Sequence, residues 1–165
     1  MVVWLQLAPL NSDLLKGQIM ANVISNTFKG MLLKGQMALA DTYKIILMQD
    51  GFTFDNTTDF AYANVSASEL VTAYGYTAGG ITLTGITVTV TQGSNLAKLA
   101  WTNAQFNASG GALITSGAII YNDSTDTGSG DDYTDAIVMY IDAGGTLTAT
   151  DGTPLVIHDI YLTIT

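Results

Sequence analysis

Alternation of apolar residues with threonine is the feature that most restricts how this chain folds. The alternation is clearest in the runs Ile-Thr-Leu-Thr at 81–84 and Ile-Thr-Val-Thr-Val-Thr at 86–91. Because successive side chains of a strand point to opposite faces of a sheet, a period of two predicts a strand with one buried face. Threonine is β-branched and suits the exposed positions of such a strand.

Further strands are indicated by apolar or alternating runs that lie between glycine-rich turn signals. The predicted strands are 43–48, 81–84, 86–91, 96–101, 112–121, 135–142, 146–150 and 155–164. A turn is expected between the strands 135–142 and 146–150, at Gly144-Gly145. Many short strands at this spacing predict an all-β fold that is mainly antiparallel. Periodicity alone leaves a sandwich and a barrel both open.

One or two short helices are predicted in the N-terminal part of the chain. The segment Ser25-Asn26-Thr27 offers an N-cap before apolar residues at helical spacing, which indicates a helix near 26–36. Ser66 and Glu69 have the spacing of a capping box, in which the two side chains satisfy the first backbone N–H groups of a helix. This spacing predicts a second helix at 67–72.

Residues 1–22 are predicted to form an N-terminal arm, and residues 23–165 a single β-rich domain. The arm is apolar, but Gln6 and Pro9 interrupt it and no basic residue opens it, which disfavours a signal peptide. No stretch of the sequence reaches the roughly 18 apolar residues of a membrane helix, and we expect no membrane partner. A soluble protein made in the cytoplasm is the expectation.

Composition removes several classes of function. The chain has no cysteine and a single histidine, His158, which excludes disulfides, cysteine–zinc sites and histidine-cluster metal sites. It has no arginine, and its 5 lysines stand against 14 acidic residues, which gives a net charge of −9. A protein that binds a phosphate backbone needs a basic surface, so we expect no nucleic-acid partner.

An acidic loop between two predicted strands is the weak candidate for a metal site. Its carboxylates are hard-cation ligands by chemistry, but the spacing departs from that of an EF-hand because threonines occupy the alternate positions. A solvated loop is the favoured interpretation, and no metal or cofactor is predicted. The candidate calcium ligands would be Asp123, Asp126, Asp131, Asp132 and Asp135.

The residues that carry chemistry are too few to predict an enzyme. His158 lies between Val156 and Ile160 on the apolar side of the predicted last strand, where a structural histidine is favoured. Glu69 is the only glutamate and is explained as a capping residue. We therefore expect no catalytic residue; cleavage of a glycoside by paired carboxylates is the weakest alternative.

Six segments of the sequence carry a family resemblance. They are Phe28-Lys-Gly-Met-Leu-Leu-Lys-Gly, Ala40-Asp-Thr-Tyr-Lys-Ile-Ile-Leu-Met, Glu69-Leu-Val-Thr-Ala-Tyr-Gly-Tyr-Thr-Ala-Gly-Gly-Ile-Thr-Leu, Leu99-Ala-Trp-Thr-Asn-Ala, Ala118-Ile-Ile-Tyr-Asn-Asp and Tyr140-Ile-Asp-Ala-Gly-Gly-Thr. Together they resemble a family of small structural proteins in the virions of tailed bacteriophages. The resemblance covers 24–165, whereas 1–19 and 123–135 depart from it. It implies a structural role with no catalytic residues to carry over, and it is compatible with head and tail.

Within that family, a threonine-rich β-domain with an apolar, slightly basic arm favours a decoration or cement protein. Such a protein binds the outside of the major capsid protein lattice and stabilises it, and it is assembled in the host cytoplasm. We expect the arm to contact the major capsid protein or a sister copy. The candidate partner-binding residues are Trp4, Leu5, Leu7, Leu10 and Lys16.

Other roles remain open at this level. A tail, neck or fibre protein is the main alternative, and a module that binds host glycans through Tyr74, Tyr76 and Tyr133 is the next. A homo-oligomer is expected because strands with threonine faces and few charges are poorly protected against pairing at the sheet edge. Strand addition or exchange of the arm would bring copies together.

Overall fold

The computed structural model describes residues 3–4, 21–124 and 134–164, and within these ranges the chain is mostly β-strand. The helices are Asn26–Lys34 (α1) and Tyr62–Val65 (α2). The strands are Val3–Trp4 (β1), Ala21–Ile24 (β2), Tyr43–Met48 (β3), Ile81–Thr82 (β4), Thr87–Thr91 (β5), Leu96–Ala100 (β6), Ala104–Asn107 (β7), Leu113–Asn122 (β8), Ile137–Ala149 (β9), Pro154–Ile157 (β10) and Tyr161–Ile164 (β11). The predicted all-β class with short helices is confirmed.

The strands form three antiparallel sheets. The largest has six strands in the order β1-β2-β9-β8-β3-β4, and the smaller two have the orders β10-β7 and β11-β6-β5. Every strand pair is antiparallel, as the sequence predicted. None of the helices in the described ranges is long and apolar enough to cross a membrane.

Both faces of the large sheet are buried at its centre. Along β3, Ile45 and Leu47 point into one apolar cluster, and Ile46 and Met48 point into another. The first cluster includes side chains of β7, β10 and β11, so the small sheets pack against the large one as in a sandwich. The second cluster is covered by Val65 and by aromatic side chains of the segment 52–62. Burial on both faces explains why β3 contains the continuous apolar run 45–48.

Strand β9 corrects the predicted turn at Gly144-Gly145. Both glycines lie inside this strand, which runs without interruption from Ile137 to Ala149. Thr115 of β8 pairs with Leu147, and Gly117 pairs with Asp142, so residues 143–146 face the single residue Ser116. The two glycines therefore lie in a large bulge rather than in a turn, and Gly144 has the positive φ of 70° that a bulge favours.

The end of the chain corrects the predicted single strand at 155–164. It forms two strands, because β10 pairs with β7 and β11 pairs with β6 in a different sheet. The chain turns between them at Asp159, which has a φ of 50°. Asn103 holds this turn by donating to His158 Nδ1 over 2.8 Å and by accepting the Asp159 N–H. Strand β7, which pairs with β10, was not predicted.

Helix α1 confirms the helix predicted near 26–36, with Ser25 as its N-cap. The second predicted helix, at 67–72, is wrong. Residues Ser66–Ser68 form one 3-10 turn, and Glu69 is extended and pairs with Met48. The short helix α2 lies just before this turn. The glycines and β-branched residues that follow Glu69 explain why no helix continues there.

The predicted boundary between arm and domain falls inside a strand. Ala21 and Asn22 belong to β2, which pairs with β9, and the two residues of β1 pair with β2 at the edge of the large sheet. Residues 5–20 lie outside the described ranges.

Candidate functional site

An apolar groove of about 330 Å³ lies between helix α1 and the three-stranded sheet. One wall consists of α1 and the loop that follows it, the other wall is a face of β5, β6 and β11, and Tyr43 lies between them. The lining residues are Phe28, Leu32, Met37, Ala38, Leu39, Tyr43, Val88, Ala97, Lys98, Leu99, Leu162 and Ile164. A concave surface with this volume and lining is of the kind that binds an apolar ligand or side chain.

Helix α1 presents its apolar side chains on two levels. Phe28 and Met31 are buried, whereas Leu32 is 40% exposed and Leu33 is 89% exposed. The helix ends at Gly35, whose φ of 72° is the left-handed conformation that closes many helices. The chain leaves the helix there and turns along the groove. Phe28 and Leu32 line the groove, whereas Met31 and Leu33 do not.

The loop wall of the groove is a turn fixed by side-chain hydrogen bonds. Asp41 accepts a bond of 2.9 Å from the Ala38 N–H and one of 2.8 Å from the side-chain amide of Asn122. The Tyr43 hydroxyl donates to the Ala38 carbonyl over 2.9 Å. Burial, with a smaller contribution from the Asp41 charge, raises the pKa of Tyr43. The fixed turn leaves Leu39 55% exposed at the rim of the groove.

The sheet wall of the groove follows from the register of its three strands. Val88 of β5 lies opposite Leu99 of β6, and Leu99 lies opposite Leu162 of β11. Two residues further along the strands, Val90, Ala97 and Ile164 form a second row on the same face. Val88, Val90 and Ile164 are between 41% and 61% exposed. This face therefore continues the apolar lining of the groove out to the edge strand β5.

Four of the nine large apolar side chains that are exposed in the described ranges line this one groove. They are Leu32, Leu39, Val88 and Ile164. Single exposed apolar residues are common on protein surfaces, but a contiguous group of them marks a site of interaction. The sequence patterns predict α1 and β5 but not the groove, because periodicity does not show that two elements leave a gap between them.

A second cluster surrounds the carboxylate of Glu69, which is only 4% exposed. Its two oxygens accept hydrogen bonds from the Tyr62 hydroxyl at 2.6 Å, the Tyr76 hydroxyl at 2.5 Å and the Gly79 N–H at 2.7 Å. The Tyr76 hydroxyl in turn accepts the Leu47 N–H at 3.1 Å. Glu69 is therefore not a helix cap; it fastens the glycine-rich loop 75–80 to strand β3.

The tyrosines around Glu69 are held in their neutral, proton-donating form. Burial and the bond to Glu69 raise the pKa of Tyr62 to about 12, and the same two causes raise the pKa of Tyr76. Tyr121 stacks on Tyr62 with 4.8 Å between ring centroids and donates to the Gly79 carbonyl. Because its carboxylate accepts three hydrogen bonds within this group of tyrosines, Glu69 has a structural role.

The candidate calcium ligands are only partly within the described ranges. Asp123 forms an ion pair of 2.8 Å with Lys44, and burial followed by the charge of Asp123 raises the pKa of Asp135. Asp126, Asp131 and Asp132 lie outside those ranges. Among the residues that the structure describes, no group of three or more acidic or histidine side chains is arranged to hold a metal ion.

Of the candidate partner-binding residues of the arm, the described ranges include Trp4. Trp4 belongs to β1 by its backbone, and its Cα is paired with that of Ala21. Leu5, Leu7, Leu10 and Lys16 lie outside the described residues.

Of the three tyrosines predicted for glycan binding, the structure describes Tyr74 and Tyr76, which differ in exposure. Tyr76 is 2% exposed and belongs to the Glu69 cluster, so the prediction that it binds a glycan at the surface is wrong. Tyr74 is 53% exposed and lies against Gly111. Tyr133 lies outside the described residues.

No family model matches the chain, and no curated protein or solved structure is significantly similar to it.

Proposed function

We propose that this chain is a non-enzymatic structural protein of a tailed-phage virion. Its role is that of a decoration protein, which binds the outside of the major capsid protein lattice and stabilises it. The observation that carries the proposal is the apolar groove with its exposed rim, because such a surface is built for contact with another protein. The resemblance of residues 24–165 to small phage virion proteins supplies the setting.

The chemistry of the groove defines the contact on the capsid protein. The lining is apolar except for Lys98, whose ammonium lies 4.0 Å from the centre of the Tyr161 ring. The occupant that fits is an apolar side chain or short apolar segment of the capsid protein. Burial of Leu39 and Val88 by that segment supplies binding energy at about 25 cal/mol for each Å² removed from water. Repeated over a lattice, such contacts resist the outward pressure of packaged DNA.

The N-terminal segment is proposed as a second attachment. It carries Trp4, Leu5, Leu7 and Leu10, which are apolar residues that gain by burial against a partner, and Lys16 follows them in the sequence. Deletion of residues 1–19 is expected to reduce the number of copies per capsid while the β-domain still folds. Full occupancy after this deletion would restrict the attachment to the groove.

The copy number per particle tests the proposed location of the protein on the capsid. Quantitative mass spectrometry is applied to purified full virions and to separated tails of the phage that carries this gene. Hundreds of copies that follow the major capsid protein and are absent from tails are expected. A few copies that follow the tail or neck would instead assign the chain to a ring or fibre, and absence from both fractions would overturn a virion role.

A matched pair of variants tests the groove. Leu39→Glu places a charge at the rim of the groove, and Val71→Glu places the same charge at another apolar residue that is 64% exposed and does not line it. Both proteins are expected to fold, since neither side chain is buried. Loss of capsid occupancy is expected for Leu39→Glu only. Equal occupancy of the two variants would remove the groove from the attachment.

A further inference from the structure

Strand β5 is an edge of the three-stranded sheet, and no other strand in the described residues pairs with its outer side. It forms one end of the order β11-β6-β5, and all five of its residues are exposed. Its sequence, Thr-Val-Thr-Val-Thr, contains no charge and no proline. Natural proteins usually protect such an edge with lysine, proline or a bulge, because its free N–H and C=O groups pair readily with another strand.

The hydrogen bonds of the two residues that follow β6 show which backbone groups of β5 point away from the sheet. The Trp101 N–H donates to the Ile160 carbonyl on the β11 side, and the Thr102 N–H donates to the Thr84 carbonyl on the β5 side. Backbone groups of successive residues alternate between the two neighbouring strands. The N–H and C=O groups of Lys98 therefore point toward β5 and form hydrogen bonds with its partner Thr89. In β5 itself, Val88 and Val90 then direct their N–H and C=O groups away from the sheet.

The sequence of β5 is a palindrome about Thr89. An antiparallel copy of the strand, related by a two-fold axis at Thr89, places Val88 opposite Val90 of that copy and Thr89 opposite itself. The outward groups of Val88 and Val90 then meet as two hydrogen-bonded pairs, which is the pairing that an antiparallel ladder requires. The side-chain pattern and the backbone pattern thus select the same register, and a two-fold contact needs this kind of self-complementarity.

We propose that two copies of this chain associate through β5, edge to edge, in the register centred on Thr89. The product is a continuous six-stranded sheet in the order β11-β6-β5-β5-β6-β11. Its apolar face joins the Val88 and Val90 rows of the two copies, so the two grooves lie on one shared surface. Its other face carries the paired threonines, which is a favourable cross-strand combination. This association does not depend on the proposed role in a virion.

The absence of cysteine from the chain allows a direct test of the register. Thr89→Cys introduces one thiol that would face its own copy in a non-hydrogen-bonded pair, with Cα atoms about 4.5 Å apart. This separation is within the range of a disulfide. The matched control is Thr87→Cys, on the same face of the same strand, whose thiols would be four residues or roughly 13 Å apart.

Mild oxidation of the two purified variants is followed by non-reducing electrophoresis. Thr89→Cys is expected to convert almost completely to a covalent dimer, and Thr87→Cys to remain uncrosslinked. Equal crosslinking of both variants would indicate random encounter and overturn the proposal, as would no crosslinking of either. Sedimentation of the unmodified protein is expected to show a monomer–dimer equilibrium, and a monomer at every concentration would also overturn it.

A second pair of variants tests the backbone contact. Val90→Pro removes an outward N–H, and proline is tolerated on an edge strand at such a position. Thr163→Pro makes the same change in β11, where the same alternation turns the Thr163 N–H away from β6. We expect Val90→Pro to weaken the dimer at least tenfold and Thr163→Pro to retain it. A dimer that is unaffected by Val90→Pro would overturn pairing through β5.

Discussion

The Tyr76 hydroxyl donates a hydrogen bond of 2.5 Å to the Glu69 carboxylate, although the two residues are only 2% and 4% exposed. A buried carboxylate is costly unless its oxygens are hydrogen-bonded. Here it accepts three bonds and connects the loop 75–80 to the interior of the large sheet. The stability of the β-domain is therefore expected to depend on this polar centre.

Tyr76→Phe tests the central hydroxyl of this cluster. The change removes a donor from Glu69 and an acceptor from the buried Leu47 N–H. Unsatisfied buried groups cost about 1–3 kcal/mol, so a loss of about 2 kcal/mol in the free energy of unfolding is expected from urea titration. Tyr74→Phe is the control, since Tyr74 is 53% exposed, and it is expected to change stability by less than about 0.5 kcal/mol. Equal effects would contradict the role of the Tyr76 hydroxyl.

Replacement of Glu69 itself separates its charge from its hydrogen bonds. Glu69→Ala leaves the Tyr62 hydroxyl, the Tyr76 hydroxyl and the Gly79 N–H without their acceptor. Hydrogen bonds to charged groups contribute about 1.5–3 kcal/mol each, so we expect a loss of more than about 3 kcal/mol in urea unfolding. Glu69→Gln keeps one oxygen acceptor and is expected to cost less than half as much. A larger loss for glutamine than for alanine would be incompatible with this account.

Gly80, in the same loop, packs closely against the backbone of strand β3. Its φ is 69°, and a Cβ atom at this position would collide with the carbonyl oxygen of Ile45. Gly80→Ala is therefore expected to destabilise the protein by about 2–4 kcal/mol, from the left-handed conformation and the forced movement of β3. Gly30→Ala in helix α1 is the control, because open space surrounds that position. It is expected to stabilise by up to about 1 kcal/mol, and thermal denaturation measures both changes.

Much of the fold was predictable because it follows local patterns. The apolar run of β3 and the N-cap of α1 depend on neighbouring residues, and both were predicted close to their observed bounds. The fold class followed from the same alternation. The predictions failed where distant contacts override local signals. Gly144-Gly145 is a typical turn signal, but pairing with β8 on both sides keeps it within a strand.

The site was harder to predict than the fold. Glu69 fits a capping box by spacing, and only the fold reveals that Tyr62 and Tyr76 surround it. A glutamate followed by a glycine-rich stretch is nevertheless a signal against a helix. The groove depends on how α1 packs beside β5 and β6, which are separated from it by more than fifty residues of sequence. No sequence pattern of a single element records such a gap.

Buried tyrosines predict how the protein responds to alkali. Five tyrosines in the described ranges have a raised pKa, with burial as the first cause in each: Tyr43, Tyr62, Tyr76, Tyr121 and Tyr140. In the unfolded chain these groups lose their protons near pH 10, whereas Tyr62 in the folded chain does so at about 12. The folded state therefore holds fewer ionised tyrosines above pH 10, and its stability falls as the pH rises through this window.

This contribution is fully present below pH 10 and is lost progressively from pH 10 to 12 for Tyr62. Tyrosinate absorbance and circular dichroism, recorded together across that range, measure ionisation and unfolding in one titration. We expect a large part of the tyrosinate signal to appear in a single step together with the loss of β-structure. Tyr76→Phe should unfold at lower pH, because it is less stable at the start. Complete ionisation of all eight tyrosines near pH 10 with the β-structure intact would contradict the buried tyrosine cluster.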